Sequence, residues 1–145
     1  MSNGYNPMRW DCTQKGCFNA HRRPKIEVFS DLFPGKISFG DVDAIVEING
    51  NALLLEWKSD RNDLPKGQEI MYKRLTRSSP LSVLVVVGDA STMEVTAMGN
   101  FFRGNYTPVQ PCSIDDVRSA IASWVACAQA NPVRAIYPVN ISQAA

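Results

Sequence analysis

The sequence predicts one α/β domain in which helices flank a central mixed β-sheet, in the order α-β-β-α-β-β-α. The chain has 145 residues, a common size for one domain. Its composition, with 45% apolar and 20% charged residues, is typical of a globular protein and not of a disordered one. Segments with helical apolar spacing are interspersed with β-rich runs, and no repeat or interior linker interrupts them.

The first elements lie in the N-terminal half. Residues 1–20 are polar and are expected to form an arm before a single domain over residues 21–145. A short helix is predicted from Pro24 to Phe33, where apolar residues recur three and four apart. Alternation from Phe39 to Ile48 predicts a strand, and residues 52–58 form its return partner. Asn49 and Gly50 between them are typical of a two-residue hairpin turn, because both positions need positive φ.

Pro65 suits the first turn of a helix over residues 66–77, whose predicted packing stripe is Ile70, Met71 and Leu75. Residues 81–87 are almost wholly apolar, which predicts a strand buried on both faces. Residues 93–98 predict another strand, and residues 99–112, with two glycines and two prolines, are expected to be irregular. Ser113 is the predicted N-cap of a last helix over residues 114–130. Its predicted packing face is Ile114, Val117, Ile121, Trp124 and Val125.

Composition also excludes several classes of protein. No apolar run exceeds five residues, whereas a membrane span needs about 20. The N-terminus has no apolar stretch of the signal-peptide type, so we expect a cytoplasmic protein. No glycine-rich phosphate-binding motif occurs, which argues against nucleotide-driven chemistry.

The cysteines give a weak indication of a metal site. Cys12, Cys17 and His21 could hold Zn²⁺ together with a fourth ligand, but their spacing matches no strong zinc motif. We therefore expect free thiols, with Cys127 packed in the last helix. His21 is the only histidine, and we expect it on the surface among arginines.

The net charge is +1, yet the cations are concentrated in the first half of the chain. Clusters of Lys and Arg interleaved with aromatic residues are typical of proteins that bind a polyanion such as nucleic acid. A solvated surface is the alternative. The candidate phosphate contacts are Arg22, Arg23, Lys25, Lys66, Lys73 and Arg77.

Pairing the two strands of the predicted hairpin brings acidic residues together. With Asn49 and Gly50 in the turn, Asp43 faces Glu56, and Asp41 faces Lys58. All four side chains then lie on one face of the sheet. A three-residue turn would instead place Asp43 opposite Trp57. The alternative interpretation is that these residues are solvated on an exposed ribbon, but Phe39, Ile45 and Leu54 share the face and indicate that part of it is covered.

Two carboxylates side by side repel each other, and a divalent cation would offset that repulsion. Mg²⁺ binds through one or two carboxylates and retains positions for water and phosphate oxygens. A neighbouring lysine could orient a water molecule or stabilise a charged transition state. Asp43, Glu56 and Lys58 therefore predict metal-dependent phosphodiester hydrolysis.

The stretches G-D-V-D-A-I-V-E over residues 40–47 and L-E-W-K over residues 55–58 resemble the PD-(D/E)XK nuclease superfamily. The resemblance implies a restriction-endonuclease-like core in which Asp43 and Glu56 bind Mg²⁺ or Mn²⁺ and Lys58 activates water. It also implies that the backbone carbonyl of Trp57 faces the metal. Val42 stands where many members have proline.

Several branches of the family, including RecB-like nucleases, carry Q-x-x-x-Y on the following helix, and Gln68 and Tyr72 match it. By the same resemblance Glu27 is a candidate metal ligand. Gln68 is predicted to be catalytic, and Tyr72 and Asp41 are predicted to support the site. The resemblance covers roughly residues 24–90. The compact layout is most similar to small phage-encoded or junction-resolving members, which implies that a homodimer could bring two sites to two strands.

The sequence therefore predicts a Mg²⁺-dependent deoxyribonuclease whose partner is DNA. Two alternatives remain open. One is a catalytically inactive nucleic-acid- or protein-binding module of the same fold, such as a phage accessory factor or inhibitor. The other is an RNA-processing nuclease with the same metal site.

Overall fold

A computed structural model describes residues 26–134 of the protein. The chain divides into two compact units, Met1–Asp41 and Val42–Ala145. In the first unit the predicted helix is a 3₁₀ helix over Ile26–Leu32. The ring of Phe39 packs edge-on against Phe33, with 5.1 Å between the ring centroids. The predicted arm over residues 1–20 and its boundary lie outside the described residues.

The second unit is an α/β layer structure with a five-stranded mixed sheet, which confirms the predicted class. The strands follow the order β1-β2-β3-β4-β5, in which only β2 and β3 pair in parallel. The elements are β1 Ala44–Ile48, β2 Asn51–Lys58, α1 Lys66–Ser78, β3 Leu81–Asp89, β4 Glu94–Phe102, β5 Asn105–Pro111 and α2 Ile114–Ala130.

The first hairpin has the predicted turn and register. Asn49 and Gly50 adopt φ values of 53° and 86°, as a two-residue turn of this kind requires. The β1–β2 ladder runs from the Ile48–Asn51 pair to the Ala44–Leu55 pair. Strand β1 begins at Ala44 and not at the predicted Phe39, so the ladder ends one step before Asp43 and Glu56.

Alternation along β2 and β3 builds a core on each face of the sheet. On one face Leu54, Val83 and Phe101 pack with Tyr72 of α1. On the other face Leu53, Leu84 and Val86 pack with Val117 of α2. Strand β3 is buried from Val83 to Gly88, which confirms the predicted central strand. The sheet therefore lies between the two helices, and β2 carries side chains into both layers.

Two expectations about covered surface are wrong. The predicted stripe of α1 is exposed, with Ile70, Met71 and Leu75 each about 40% accessible, and Tyr72 and Thr76 are buried instead. The helix is thus rotated so that polar residues at positions 68, 72 and 76 face the sheet. Ile45, expected to lie on a covered face, is 64% exposed because β1 is an edge strand.

A second hairpin occupies the segment that was expected to be irregular. Strand β4 continues to Phe102, and Arg103 and Gly104 make a tight turn with φ values of 49° and 83°. The prolines lie in β5, an edge strand where a missing N–H group is tolerated. Gly99 lies at a register shift, where a Cβ would be 2.7 Å from a carbonyl oxygen of β5.

The last helix begins and ends as predicted, at Ile114 and Ala130. Its predicted packing face is correct at Val117, Ile121 and Trp124, whereas Ile114 is 36% exposed. Cys112 and Cys127 are free thiols, as predicted. Cys127 is exposed, so the prediction that it packs in the last helix is wrong. Within residues 26–134 no helix has the length and hydropathy that a membrane span requires.

The N-terminus of α2 carries a capping box. Ser113 and Asp116 bond reciprocally, with the Ser113 N–H donating to the Asp116 carboxylate at 2.8 Å. Donation from the Ser113 backbone and then from its hydroxyl lowers the pKa of Asp116 below its ordinary value. Because the pKa is lowered in the folded state, this contribution to stability is present above pH 4 or so and is lost as the pH falls through the folded-state pKa.

We therefore expect Asp116→Asn to lower the free energy of unfolding at pH 7 and to have a smaller effect near pH 2. Asp115→Asn is the matched control, because it removes a first-turn carboxylate that makes no capping bond. Urea unfolding followed by circular dichroism at both pH values measures the two differences. An Asp116→Asn loss that does not exceed the Asp115→Asn loss at pH 7 would contradict the capping role.

Candidate active site

The carboxylate of Glu56 is the centre of the site. Glu56 belongs to β2, points into the layer between the sheet and α1, and is only 5% exposed. Three side chains contact it: Lys58 Nζ and Gln68 Nε2 reach Oε1 at 2.9 and 3.1 Å, and the Tyr72 hydroxyl donates to Oε2 at 2.7 Å. Three donors around a buried carboxylate compensate for the loss of its hydration.

Tyr72 is a fixed donor to this carboxylate. The residue is 2% exposed. Burial raises its pKa well above the ordinary value, and the hydrogen bond to Glu56 and the charges of Glu56 and Asp43 raise it further. The hydroxyl therefore keeps its proton at physiological pH, and Glu56 Oε2 retains a lone pair for another partner.

Lys58 lies next to Glu56 on the same face of β2, since the two residues are two positions apart. Its ammonium contacts Glu56 and also donates to Gln68 Oε1 at 2.8 Å. The side chain is 14% exposed. Gln68 thus holds both members of the ion pair through its two amide atoms, which fixes the ammonium at the partly open edge of the layer.

Asp43 immediately precedes β1 and is exposed. Its Oδ2 accepts a hydrogen bond from the backbone N–H of Trp57 at 2.7 Å, which ties the carboxylate to the strand between Glu56 and Lys58. Within the described residues Oδ1 has no hydrogen-bond partner. The Trp57 side chain belongs to the core facing α2, where its indole N–H donates to the Gly88 carbonyl at 3.0 Å.

The chemistry of these donors fits a hard divalent cation. Asp43 and Glu56 provide two carboxylates with free lone pairs, the ligand number that Mg²⁺ commonly takes from a protein. The carboxylates of Asp43 and Glu56 and the ammonium of Lys58 together carry one net negative charge. A bound divalent ion would change that net charge to one positive charge. Among residues 26–134 no cluster of three His, Cys, Asp or Glu side chains is arranged to hold a metal.

Two predicted site residues, Glu27 and Asp41, belong to the first unit. Glu27 lies in the first turn of the 3₁₀ helix, and Asp41 is the last residue of that unit. Their assignment as metal ligand and supporting group stays a prediction. The assignment of the Trp57 carbonyl as a metal ligand also stays a prediction. The hydrogen bond to Asp43 involves the backbone N–H of Trp57 and not its carbonyl.

The described candidate phosphate contacts lie on α1. Lys66 and Lys73 both pair with Glu69, at 3.6 and 2.6 Å, so their charges are partly compensated. Arg77 is exposed and lies beside Gly104 of the second turn. Arg22, Arg23 and Lys25, and the candidate zinc ligands Cys12, Cys17 and His21, lie outside the described residues.

Sequence reasoning missed Thr76, which fixes the helix that presents Gln68 and Tyr72. Thr76 is 2% exposed, donates through Oγ1 to the Tyr72 carbonyl at 2.7 Å, and accepts from the Gly104 N–H at 3.1 Å. The second hairpin is therefore anchored to α1. The i, i+4 spacing of Gln68, Tyr72 and Thr76 is the signal that indicates this face, but the apolar stripe of the same helix is the stronger local pattern.

Comparison with models of protein families, with curated proteins and with solved structures finds no match to this chain. The interpretation of the site therefore depends on its geometry and chemistry.

We expect Tyr72→Phe to lower the free energy of unfolding by about 1.5–3 kcal/mol, because it removes one donor from a buried carboxylate. Tyr106→Phe is the control: it removes a hydroxyl from a partly buried tyrosine that does not contact Glu56, and should cost about 1 kcal/mol or less. Urea denaturation of both variants gives the comparison. Equal losses of unfolding free energy in the two variants would show that the hydrogen bond to Glu56 does not stabilise the protein more than the Tyr106 hydroxyl does.

Proposed function

We propose that the protein is a metal-dependent deoxyribonuclease with a restriction-endonuclease-like core. One observation carries the proposal: Lys58 pairs with Glu56 at the end of the first hairpin, Asp43 is tied to the strand between them through the Trp57 N–H, and Gln68 and Tyr72 from α1 hold the central carboxylate. Resemblance to the PD-(D/E)XK superfamily supports it, since the same residues match that pattern.

Asp43 and Glu56 are the proposed ligands of Mg²⁺ or Mn²⁺, with the Trp57 carbonyl and Glu27 as further candidates. A divalent ion held there would supply Lewis-acid catalysis for phosphodiester hydrolysis. Lys58 would orient the attacking water and stabilise negative charge on the phosphate. Gln68 positions the Lys58 ammonium, and Tyr72 orients the Glu56 carboxylate.

The proposed substrate is DNA, which would contact the cations of α1 and of the N-terminal segment. Lys66, Lys73 and Arg77 are proposed contacts because their side chains line one stripe of α1. Arg22, Arg23, Lys25 and Asp41 belong to the proposal on the basis of the sequence. A homodimer and a role as a phage-type nuclease or junction resolvase follow from the resemblance. A cytoplasmic location is also part of the proposal, and RNA is the alternative substrate.

One observation favours a second function, a binding module without catalysis. Glu56 already has three donors, so the ion pair with Lys58 also satisfies the requirements of a structural buried pair. In that case the module would bind nucleic acid or protein, and the carboxylate cluster would have no need of a metal. Asp43 distinguishes the two functions. Its carboxylate is exposed and has one oxygen without a hydrogen-bond partner among the described residues, so it is available to a metal, whereas the ion pair of Glu56 and Lys58 does not need it.

Asp43→Asn tests the proposal with little structural risk, because an asparagine carbonyl can still accept from the Trp57 N–H. We expect Mg²⁺-dependent cleavage of DNA to fall at least about 10²-fold while stability changes little. Asp63→Asn is the matched control, since Asp63 also accepts one hydrogen bond, from Ser59, and lies in the loop after β2. Cleavage is measured on linear, circular, single-stranded, four-way and RNA substrates, with EDTA controls.

Lys58→Ala should abolish Mg²⁺-dependent cleavage, and circular dichroism checks that the variant remains folded. Arg118→Ala, which removes an exposed cation of α2, should leave cleavage unchanged. Full activity of Lys58→Ala would contradict the mechanism. Absence of cleavage of every substrate by the unaltered protein, with nucleic-acid binding retained, would establish the binding module instead.

A further inference from the structure

A pocket lies on the opposite face of the sheet from Glu56, beneath α2. Its floor includes Leu53 and Ser82, which are paired neighbours on β2 and β3, and Phe102 at the end of β4. Ala120 and Trp124 of α2 form the other wall, and the volume is about 230 Å³. Pockets for drug-sized ligands run from about 300 to 1,000 Å³, so this one admits only a smaller group.

The apolar pocket carries polar groups that remain available. Ser82, Asn100 and Trp124 are among its lining residues, and within the described part of the chain the Ser82 hydroxyl, the Asn100 amide and the Trp124 indole N–H make no hydrogen bond. An amide presents a donor and an acceptor together, and the hydroxyl can act as either. Such a set matches the edge of a heterocyclic base, which also alternates donors and acceptors.

The pocket has a cation at its rim. Arg103 occupies the tight turn after Phe102, and its guanidinium lies 5.0 Å from the centroid of the Phe102 ring. Arg103 forms no ion pair with an acidic residue between positions 26 and 134. A ligand whose ring enters the pocket would thus meet positive charge at the entrance.

We propose that this pocket binds a nucleotide, with the base between Trp124 and Phe102 and the phosphate on Arg103. Aromatic side chains bind bases through their π-faces, and arginine binds phosphate through paired N–H groups. An aliphatic anion would cover the amide, hydroxyl and indole groups without offering them hydrogen bonds, whereas the edge of a base offers both donors and acceptors. The nucleotide is either free or an unpaired residue of a single strand.

The proposal does not depend on the proposed nuclease. Leu53 precedes Glu56 by three positions on β2 and faces the other layer, so the pocket floor lies about 10 Å along the strand from the carboxylate. The two sites are separated by the sheet. Binding can therefore be measured in EDTA, where metal-dependent cleavage does not occur.

The test is isothermal titration calorimetry of the full chain in EDTA. The probes are adenosine 5′-monophosphate, adenosine, a pentameric deoxyadenylate and octanoate. We expect the monophosphate to bind about ten-fold more tightly than adenosine, because only the former contacts Arg103. A pentamer that binds more tightly than the monophosphate identifies a strand as the source, and equal or weaker binding identifies the free nucleotide.

Matched variants locate the binding. Ala120→Leu fills the pocket and should weaken binding of both adenine ligands at least about ten-fold, whereas Ala122→Leu, on the exposed side of α2, should not. Arg103→Gln should weaken the monophosphate about ten-fold and leave adenosine unchanged, and Arg118→Gln should change neither. Asn100→Leu provides a second pocket variant on β4 if Ala120→Leu does not fold.

Three results would overturn the proposal. One is no binding of the monophosphate or the pentamer at millimolar concentration. Another is nucleotide binding that Ala120→Leu and Asn100→Leu leave unchanged. The third is binding of octanoate in place of the adenine ligands, which would assign the pocket to an aliphatic anion.

Discussion

The buried carboxylate of Glu56 is the constraint around which the rest of the site is organised. A carboxylate that is 5% exposed needs donors, and the structure supplies them from two different elements: Lys58 from the same strand, and Gln68 and Tyr72 from α1. Meeting this need fixes the rotation of α1, because the polar face of the helix must turn toward the sheet. Its apolar residues are exposed as a consequence.

The same constraint explains why distant parts of the chain matter to the site. Tyr72 can donate to Glu56 only if α1 is held against the sheet, and the second hairpin contributes to this through Gly104 and Thr76. On the sheet side Phe101 of β4, fully buried, contacts the Tyr72 ring at 5.3 Å between centroids. The site therefore depends on the β4–β5 hairpin even though none of its described residues hydrogen-bonds to Glu56.

The two faces of β2 separate two kinds of chemistry. Residues 54, 56 and 58 face α1, and the last two form a largely buried ion pair. Residues 53, 55 and 57 face α2, where the environment is apolar and aromatic. A nucleotide pocket on that second face would place base recognition and the proposed phosphodiester chemistry on opposite sides of one strand. Substitutions in one of the two sites would then leave the residues of the other unchanged.

The sequence by itself determined the first hairpin and the residues that meet there. Asn49 and Gly50 dictate a two-residue turn, and the turn dictates the register, because each later pair follows from it. Asp43, Glu56 and Lys58 could therefore be placed together before any coordinates. The buried strand β3 and the helix α2 could also be predicted from local sequence. Apolar content defines the strand, and a capping residue defines the start of the helix.

Only the tertiary structure decided the rotation of α1, the burial of Glu56 and the second hairpin. The rotation depends on a hydrogen-bond demand from another element, which outweighs the apolar stripe of Ile70, Met71 and Leu75. The second hairpin has an Arg-Gly turn, prolines on an edge strand and a glycine at a register shift, all of which weaken the local strand pattern. Pairing with the buried β3 compensates for those weaknesses, and that pairing is a long-range property that local patterns do not contain.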